Sequence, residues 1–253
     1  MRRLRRISSA FLALVLLGAP RVHHAAELRV FCDGPLLLAM TALRDMFSND
    51  TRHRVDVVFA ASPVLHRRVI AGEPVDMLIT QPARLDELVK VGKVAAAEQA
   101  VIGRIGIGLA VRASVAAPDI STAEGLKRAL MDADSVAYTD LATGAYFGKL
   151  LERLGIAGEV KGKTSLYSSG AELFEHVLKD RGNDIGIGPV TTIISYGNQG
   201  LKPVGRLPAE LQSHVVFKAA VMVGARSPEA AKEFIRFLLS APAKVVFAAT
   251  GVE

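Results

Sequence analysis

Only one cysteine, Cys32, occurs in the 253 residues. No disulfide can form within the chain, so its stability must come from a packed core. The neighbouring Asp33 would raise a thiol pKa rather than lower it, and Cys32 therefore reads as a packed strand residue, not a nucleophile. Close-spaced metal ligands are missing as well: His53, His66, His176 and His214 are scattered, which does not match zinc-site spacing. There is no G-x-S-x-G elbow and no Walker loop. Gly103, Gly106 and Gly108 lie inside an apolar run instead of opening a helix, so they are not a dinucleotide fingerprint. These absences argue against an enzyme and leave no catalytic residue, metal site or cofactor to expect.

A large charge excess is also lacking once the first residues are set aside. The formal net charge is +6, but residues 1–26 hold Arg2, Arg3, Arg5, Arg6 and Arg21 and no acid. Taking those five from 31 basic residues leaves 26 against 25 acids. The high pI of about 9.6 thus belongs to the N-terminus and gives no reason to expect nucleic-acid binding. That N-terminus has a basic start, an apolar stretch from Phe11 to Leu17 and a small-residue end at Ala25-Ala26. The stretch is too short to span a bilayer, and the segment reads as a secretory signal peptide. The arginine pairs hint at twin-arginine export, yet their flanks match poorly, which favours general secretion. The remaining chain is expected to be periplasmic, with no transmembrane segment.

What is present is a repeating strand-to-helix junction. Half of the residues are hydrophobic, ample for a core. Val55 to Phe59 suits a buried strand. Ala60 and Ala61 are too small to cover the backbone, and Ser62-Pro63 reads as an N-cap followed by the first helical residue. Leu28 to Cys32 runs into Asp33-Gly34-Pro35 and a helical pattern of Leu36, Met40, Leu43 and Phe47. Val75 to Thr80 runs into Gln81-Pro82, and Asp184 to Gly188 into Pro189. Any one of these prolines could simply start a helix. Four in succession imply alternating β and α units, whose ligands sit outside the carboxyl ends of parallel strands.

Ala100 to Val111 breaks this rhythm as a long, glycine-bearing strand, and Val215 to Val223 is a second one. Together they suit crossings between two lobes. Between them lie a capping box at Ser121 to Glu124, a short strand from Val136 to Thr139, a loop from Asp140 to Gly144 leading into a helix, and a strand-like stretch from Val160 to Tyr167.

The C-terminal RSPEAAKEFIRFLLSAPAKVVFAATG resembles the closing signature of bacterial extracellular solute-binding proteins of ABC importers. AELRVFCDGPLLLAMTAL, HRVDVVFAASPVLHRRVIAGEPVDMLI, RIGIGLAVRASVAAPDISTAEGLKRALMDADSVAYTD and YFGKLLERLGI are similar to the periplasmic molybdate-binding branch and its less specific relatives. The resemblance covers nearly all of the chain after the leader. It implies an α/β, type II periplasmic-binding-protein fold: each lobe a mostly parallel sheet flanked by helices, the lobes joined by two crossing strands. Lobe 1 is expected over 27–110 and 216–253, and lobe 2 over 111–215. It further implies a monomer that captures a small anion, of the molybdate or tungstate type, and delivers it to an inner-membrane permease. A small organic carboxylate, or a partner-binding role without ligand, is the alternative.

The ligand contacts implied are Asp33, Gly34 and Pro35 at the first junction, Ala61 and Ser62 at the second, Thr143 and Gly144, and Gly188 with Pro189. Ser62 matches the family's second-loop serine, although its hydroxyl could serve only its own helix. Elsewhere the pattern departs. Pro35 stands where the family usually offers a serine, and Asp33 adds a carboxylate that, if ionised, repels a bound anion by roughly 4 kcal/mol at about 4 Å. Gly188-Pro189 replace a tyrosine, for which Thr191 and Thr192 could partly substitute. A sensory domain of a cytoplasmic regulator, built on the same fold, is disfavoured by the export signal.

Overall fold

The computed structural model describes residues 25–179 and 181–253. The leader read from the sequence lies almost wholly outside them. The described chain begins with three βα units: β1 (Glu27–Asp33), α1 (Leu37–Thr51), β2 (Arg54–Ala60), α2 (Ser62–Ile70), β3 (Met77–Thr80) and α3 (Pro82–Lys90). The long strand β4 (Val94–Arg112) then leads to α4 (Ala123–Asp132), β5 (Ser135–Thr139), α5 (Ala142–Arg153), α6 (Ala157–Val160), β6 (Thr164–Tyr167), α7 (Gly170–Lys179), β7 (Asp184–Pro189), α8 (Val190–Ser195) and β8 (Leu201–Arg206). The chain returns along β9 (His214–Met222) and closes with α9 (Pro228–Leu238) and α10 (Ala241–Ala249).

The strand order is β2-β1-β3-β9-β4-β7-β5-β6, with β8 also on β4. β4 is shared between two lobes. It pairs with β9 as far as Gly106, and from Ile107 onward with β7 and β8. In each lobe three strands run parallel (β2, β1, β3 in one; β6, β5, β7 in the other), while β9 runs antiparallel to β3, β4 antiparallel to β7, and the two crossing strands antiparallel to each other. A parallel sheet needs cover on both faces, and the side-chain alternation of β1 supplies it. Leu28, Val30 and Cys32 pack with Phe47 of α1, Phe234 of α9 and Phe247 of α10. Phe31 faces the other way, onto Leu65 of α2 and Leu85 and Leu88 of α3. The second lobe repeats the scheme. Ile107, Leu109 and Val111 pack with Leu126, Phe147 and Ile185, while Ala110 and Ala137 meet Phe174 and Val177.

The glycines of β4 let other backbone come close. A Cβ on Gly103 would stand 3.0 Å from the carbonyl oxygen of Glu253, and one on Gly108 3.0 Å from that of Gly205. Cys32 is fully buried, and burial first, then the Asp33 charge, push its thiol up; it is the packed residue expected.

Three local expectations are corrected. Ser62 is the first residue of α2 and Ala61 its N-cap, because the Ala61 carbonyl accepts from Val64 and Leu65 N–H. The cap of α4 is the Thr122 hydroxyl, accepting from Gly125 N at 3.0 Å, in place of a box starting at Ser121. Finally, residues 157–163 form short helical turns, and only Thr164–Tyr167 pairs as a strand.

Candidate functional site

Strand register gathers the first three junctions. Asp33 lies opposite Ala60 on β2, and Cys32 opposite Ile79 on β3, so Asp33, Ala60 and Thr80 end side by side. The carboxyl group of Asp33, 1% exposed, turns to its neighbours. Its Oδ2 accepts from the Ser62 hydroxyl and from Thr80 Oγ1 at 3.0 Å. Ser62 and Thr80 oxygens are themselves 3.1 Å apart, and Gln81 Nε2 donates to Ser62 Oγ at 3.2 Å. The Ser62 hydroxyl therefore makes no cap bond to its own helix; it is committed to Asp33. Asp33 Oδ1 is buried without a hydrogen-bond partner. Burial raises the Asp33 pKa to about 7 against the opposing pull of the Ser62 and Thr80 hydrogen bonds, the nearby Gln81 amide and the Arg84 charge. Burial thus works against the negative charge that the sequence places beside a bound anion.

Asp76 shows what a structural buried carboxylate looks like here. Its Oδ2 accepts from Arg29 N at 2.8 Å, and its Oδ1 from Arg226 N at 2.7 Å and Ser227 N at 3.4 Å. Both oxygens are saturated by amides tying β1 to the segment after β9. Asp33 has hydroxyls on one oxygen and nothing on the other.

Gln81 carries this cluster to a cleft of about 360 Å³ between the lobes. One wall is Gln81, Pro82 and Ala83 at the start of α3; the opposite wall is Ala142, Thr143 and Tyr146 on α5. The crossing strands supply the floor, Ile107 and the stretch from Ser213 to Val216. Thr143 is 6% exposed on this wall. Gly144 lets α5 sit down on the end of β5, since a Cβ there would lie 1.7 Å from the Thr139 carbonyl oxygen. Gly34 and Pro35 form a turn against which α8 packs. Pro189 pairs with Ile107, a cleft residue, and a Cβ on Gly188 would stand 3.0 Å from Phe174. Thr191 follows, 2% exposed, with its hydroxyl unpartnered.

Among the described residues lining the cleft there is no Lys or Arg; the base there is His214. Its Nε2 lies 3.3 Å from Glu253 Oε2, and Glu253 also holds Arg104 at 3.2 Å and Arg206 at 2.7 Å. Behind this floor, Gln212 stands in for a strand partner: it accepts from Ile107 N at 2.9 Å and donates to Ile107 O at 3.0 Å. Sequence reasoning missed Thr80, Gln81, Tyr146 and His214. Thr80 and Gln81 were legible as a third junction equivalent to Ser62. Tyr146 lines the cleft from α5, and its hydroxyl donates to Leu211 O at 2.8 Å. His214 carried no local signal. His53, by contrast, is structural: Nδ1 accepts from Ala26 N at 3.0 Å and the ring stacks on Phe47.

Comparison with known proteins fits this arrangement. A curated relative, an aconitate isomerase of a Pseudomonas species, is 25% identical over 249 residues, covering 95% of this chain and 94% of the relative. The periplasmic molybdate-binding protein of Azotobacter vinelandii shares the fold with a TM-score of 0.75 at 16% identity, over 89% of this chain and 98% of that one. The sulfate-binding protein SubI of Mycobacterium tuberculosis superposes with a TM-score of 0.72 at 17% identity, over 90% of this chain and 86% of its own. The fold is that of a type II periplasmic binding protein. The model of a family described as bacterial extracellular solute-binding protein matches residues 28–253, and the chain belongs to that family.

Proposed function

We propose that this protein is the binding component of an ABC importer and captures a small organic anion, of the di- or tricarboxylate class, outside the cytoplasm. The observation that carries this reading is the cleft: two helix starts from opposite lobes, an amide, three hydroxyl-bearing residues and an imidazole around a space of about 360 Å³. That volume falls within the range of small-molecule sites, about 300–1,000 Å³. A tetrahedral ion fills only a small part of it. Molybdate, tungstate or sulfate is the competing class, supported by what the structural neighbours bind. Lobes comprising 27–110 with 216–253 and 111–215 would close about the crossing strands, with the ligand favouring the closed form. Export through residues 1–26 and delivery to an inner-membrane permease complete the reading. No helix among the described residues is long and apolar enough to cross a membrane.

A second reading is an isomerase acting on an unsaturated carboxylate. It is favoured by the Asp33 carboxyl, whose pKa of about 7 suits a general acid–base group, and by the aconitate isomerase relative.

Thermal unfolding of the protein lacking residues 1–26 with molybdate, sulfate, malate, citrate, fumarate and trans-aconitate tests both. A true ligand at about 100 Kd stabilises by about 2.7 kcal/mol, which for a chain of this size raises Tm by about 5–10 °C. A shift with oxyanions alone overturns the organic-acid reading, and no shift with any compound overturns the binding reading. Proton NMR of trans-aconitate incubated with the protein detects turnover.

A further inference from the structure

The Asp33 cluster has a donor problem that only a proton can solve. A hydroxyl has one proton to give, and here those of Ser62 and Thr80 both go to Asp33 Oδ2. Gln81 is the member of this cluster that lines the cleft; with Asp33 ionised, an anion held at Gln81 would have a buried negative charge behind it and both hydroxyls already spent on that charge. Protonation removes the charge and adds one donor, whichever oxygen carries the proton. On Oδ2 the carboxyl donates to Ser62 or Thr80 and frees that residue's own proton for another acceptor. On Oδ1, which is buried and unpartnered, the new O–H is itself the free donor. We propose that Asp33 makes ligand capture proton-coupled: the site holds its anion with Asp33 neutral, and takes one proton from solvent for each anion bound when the empty site is ionised. This rests on the cleft being an anion site.

Few charged groups surround Asp33. On its own strand, the Cys32 thiol is held neutral by burial. From α2 and β3 come the uncharged Ser62 and Thr80. From α3 comes Arg84, the smallest influence on Asp33, itself paired with Glu87 at 2.9 Å. The turn at Gly34–Leu36 meets α8, which brings the uncharged Val190 and Thr191. His214 on the cleft floor faces Glu253, Arg104 and Arg206. Burial outweighs all of these at Asp33 and puts its transition near pH 7.

Isothermal titration calorimetry with molybdate, fumarate and trans-aconitate tests the coupling, since these anions carry no proton of their own above about pH 6. Repeating each titration in buffers of different ionisation enthalpy counts protons. If only the neutral form binds, Kd rises about tenfold from about pH 6 to about pH 8, and about ninetyfold to about pH 9. About 0.9 proton is taken up per anion at about pH 8, and about 0.1 at about pH 6. Asp33→Asn, a fixed neutral mimic, binds at pH 9 as the natural chain does at pH 6, with no uptake. A Kd flat across this range, with no buffer dependence, overturns the coupling while leaving the anion site standing. Failure of all three anions to bind overturns both. Infrared difference spectra of the ligand-free protein give an independent readout. A protonated carboxyl band lost between pH 6 and 8, absent from Asp33→Asn and regained when an anion binds, supports the proposal; an Asp33 that stays ionised with the anion bound overturns it.

Discussion

Replacing Asp33 with Asn should make the protein more stable at alkaline pH, although it alters a buried polar cluster behind Gln81 of the cleft wall. Asp33 keeps its proton to about pH 7 in the folded protein, against about 3.9 in an unfolded chain. Between those values the folded state binds more protons than the unfolded one, so stability falls as pH rises through that window, and the full cost stands above it. Working the linkage through, the natural chain should lose about 3 kcal/mol relative to Asp33→Asn between about pH 5 and about pH 8.5. The asparagine carbonyl still accepts from Ser62 and Thr80, while its amide leaves an unpaired donor where Oδ1 now sits, at a cost of about 1–3 kcal/mol that does not vary with pH. Urea unfolding of both proteins at about six pH values, each compared at equal m, isolates the difference from all other titrating groups. The predicted signature is a difference that grows with pH and flattens above about pH 8. Two curves that stay parallel from pH 5 to 8.5 would refute the claim that burial holds this carboxyl near neutrality.

Two further changes probe the architecture around the cleft. Gly144→Ala forces a methyl onto the Thr139 carbonyl oxygen, 1.7 Å away without movement; α5 must shift, and thermal unfolding should show a loss of about 1–3 kcal/mol or more together with weaker ligand binding through Thr143. Gln212→Ala leaves the Ile107 amide and carbonyl without their side-chain partner. Unfolding should register about 1–3 kcal/mol, and hydrogen exchange at the Ile107 amide should quicken while that of Leu109 stays slow.

Much of this molecule is legible in short patterns. Strand runs ending in small residues and followed by proline mark the junctions where sheet turns into helix, because a Pro-initiated helix after a buried strand admits few other geometries. β4 and β9 are visible as long apolar strands for the same local reason. The role of Ser62 is not. Its sequence context fits an N-cap, and only the neighbouring ends of β1 and β3 show that its proton belongs to Asp33. The close packing of Phe174 on Gly188 likewise has no local signal, since it is set by how α7 lies on β7. His214 and Gln212 act at a distance along the chain, on Glu253 and Ile107 respectively, and no local signal marks such pairs.

The sequence by itself determined the alternation of strands and helices, the inertness of Cys32 and the family, because these follow from local hydrophobic pattern and backbone chemistry. Tertiary structure alone decided the charge state of Asp33, since a carboxyl pKa is set by the water it has lost and the donors that surround it. Those donors come from strand and helix ends far apart in the chain. Sheet register brings them together.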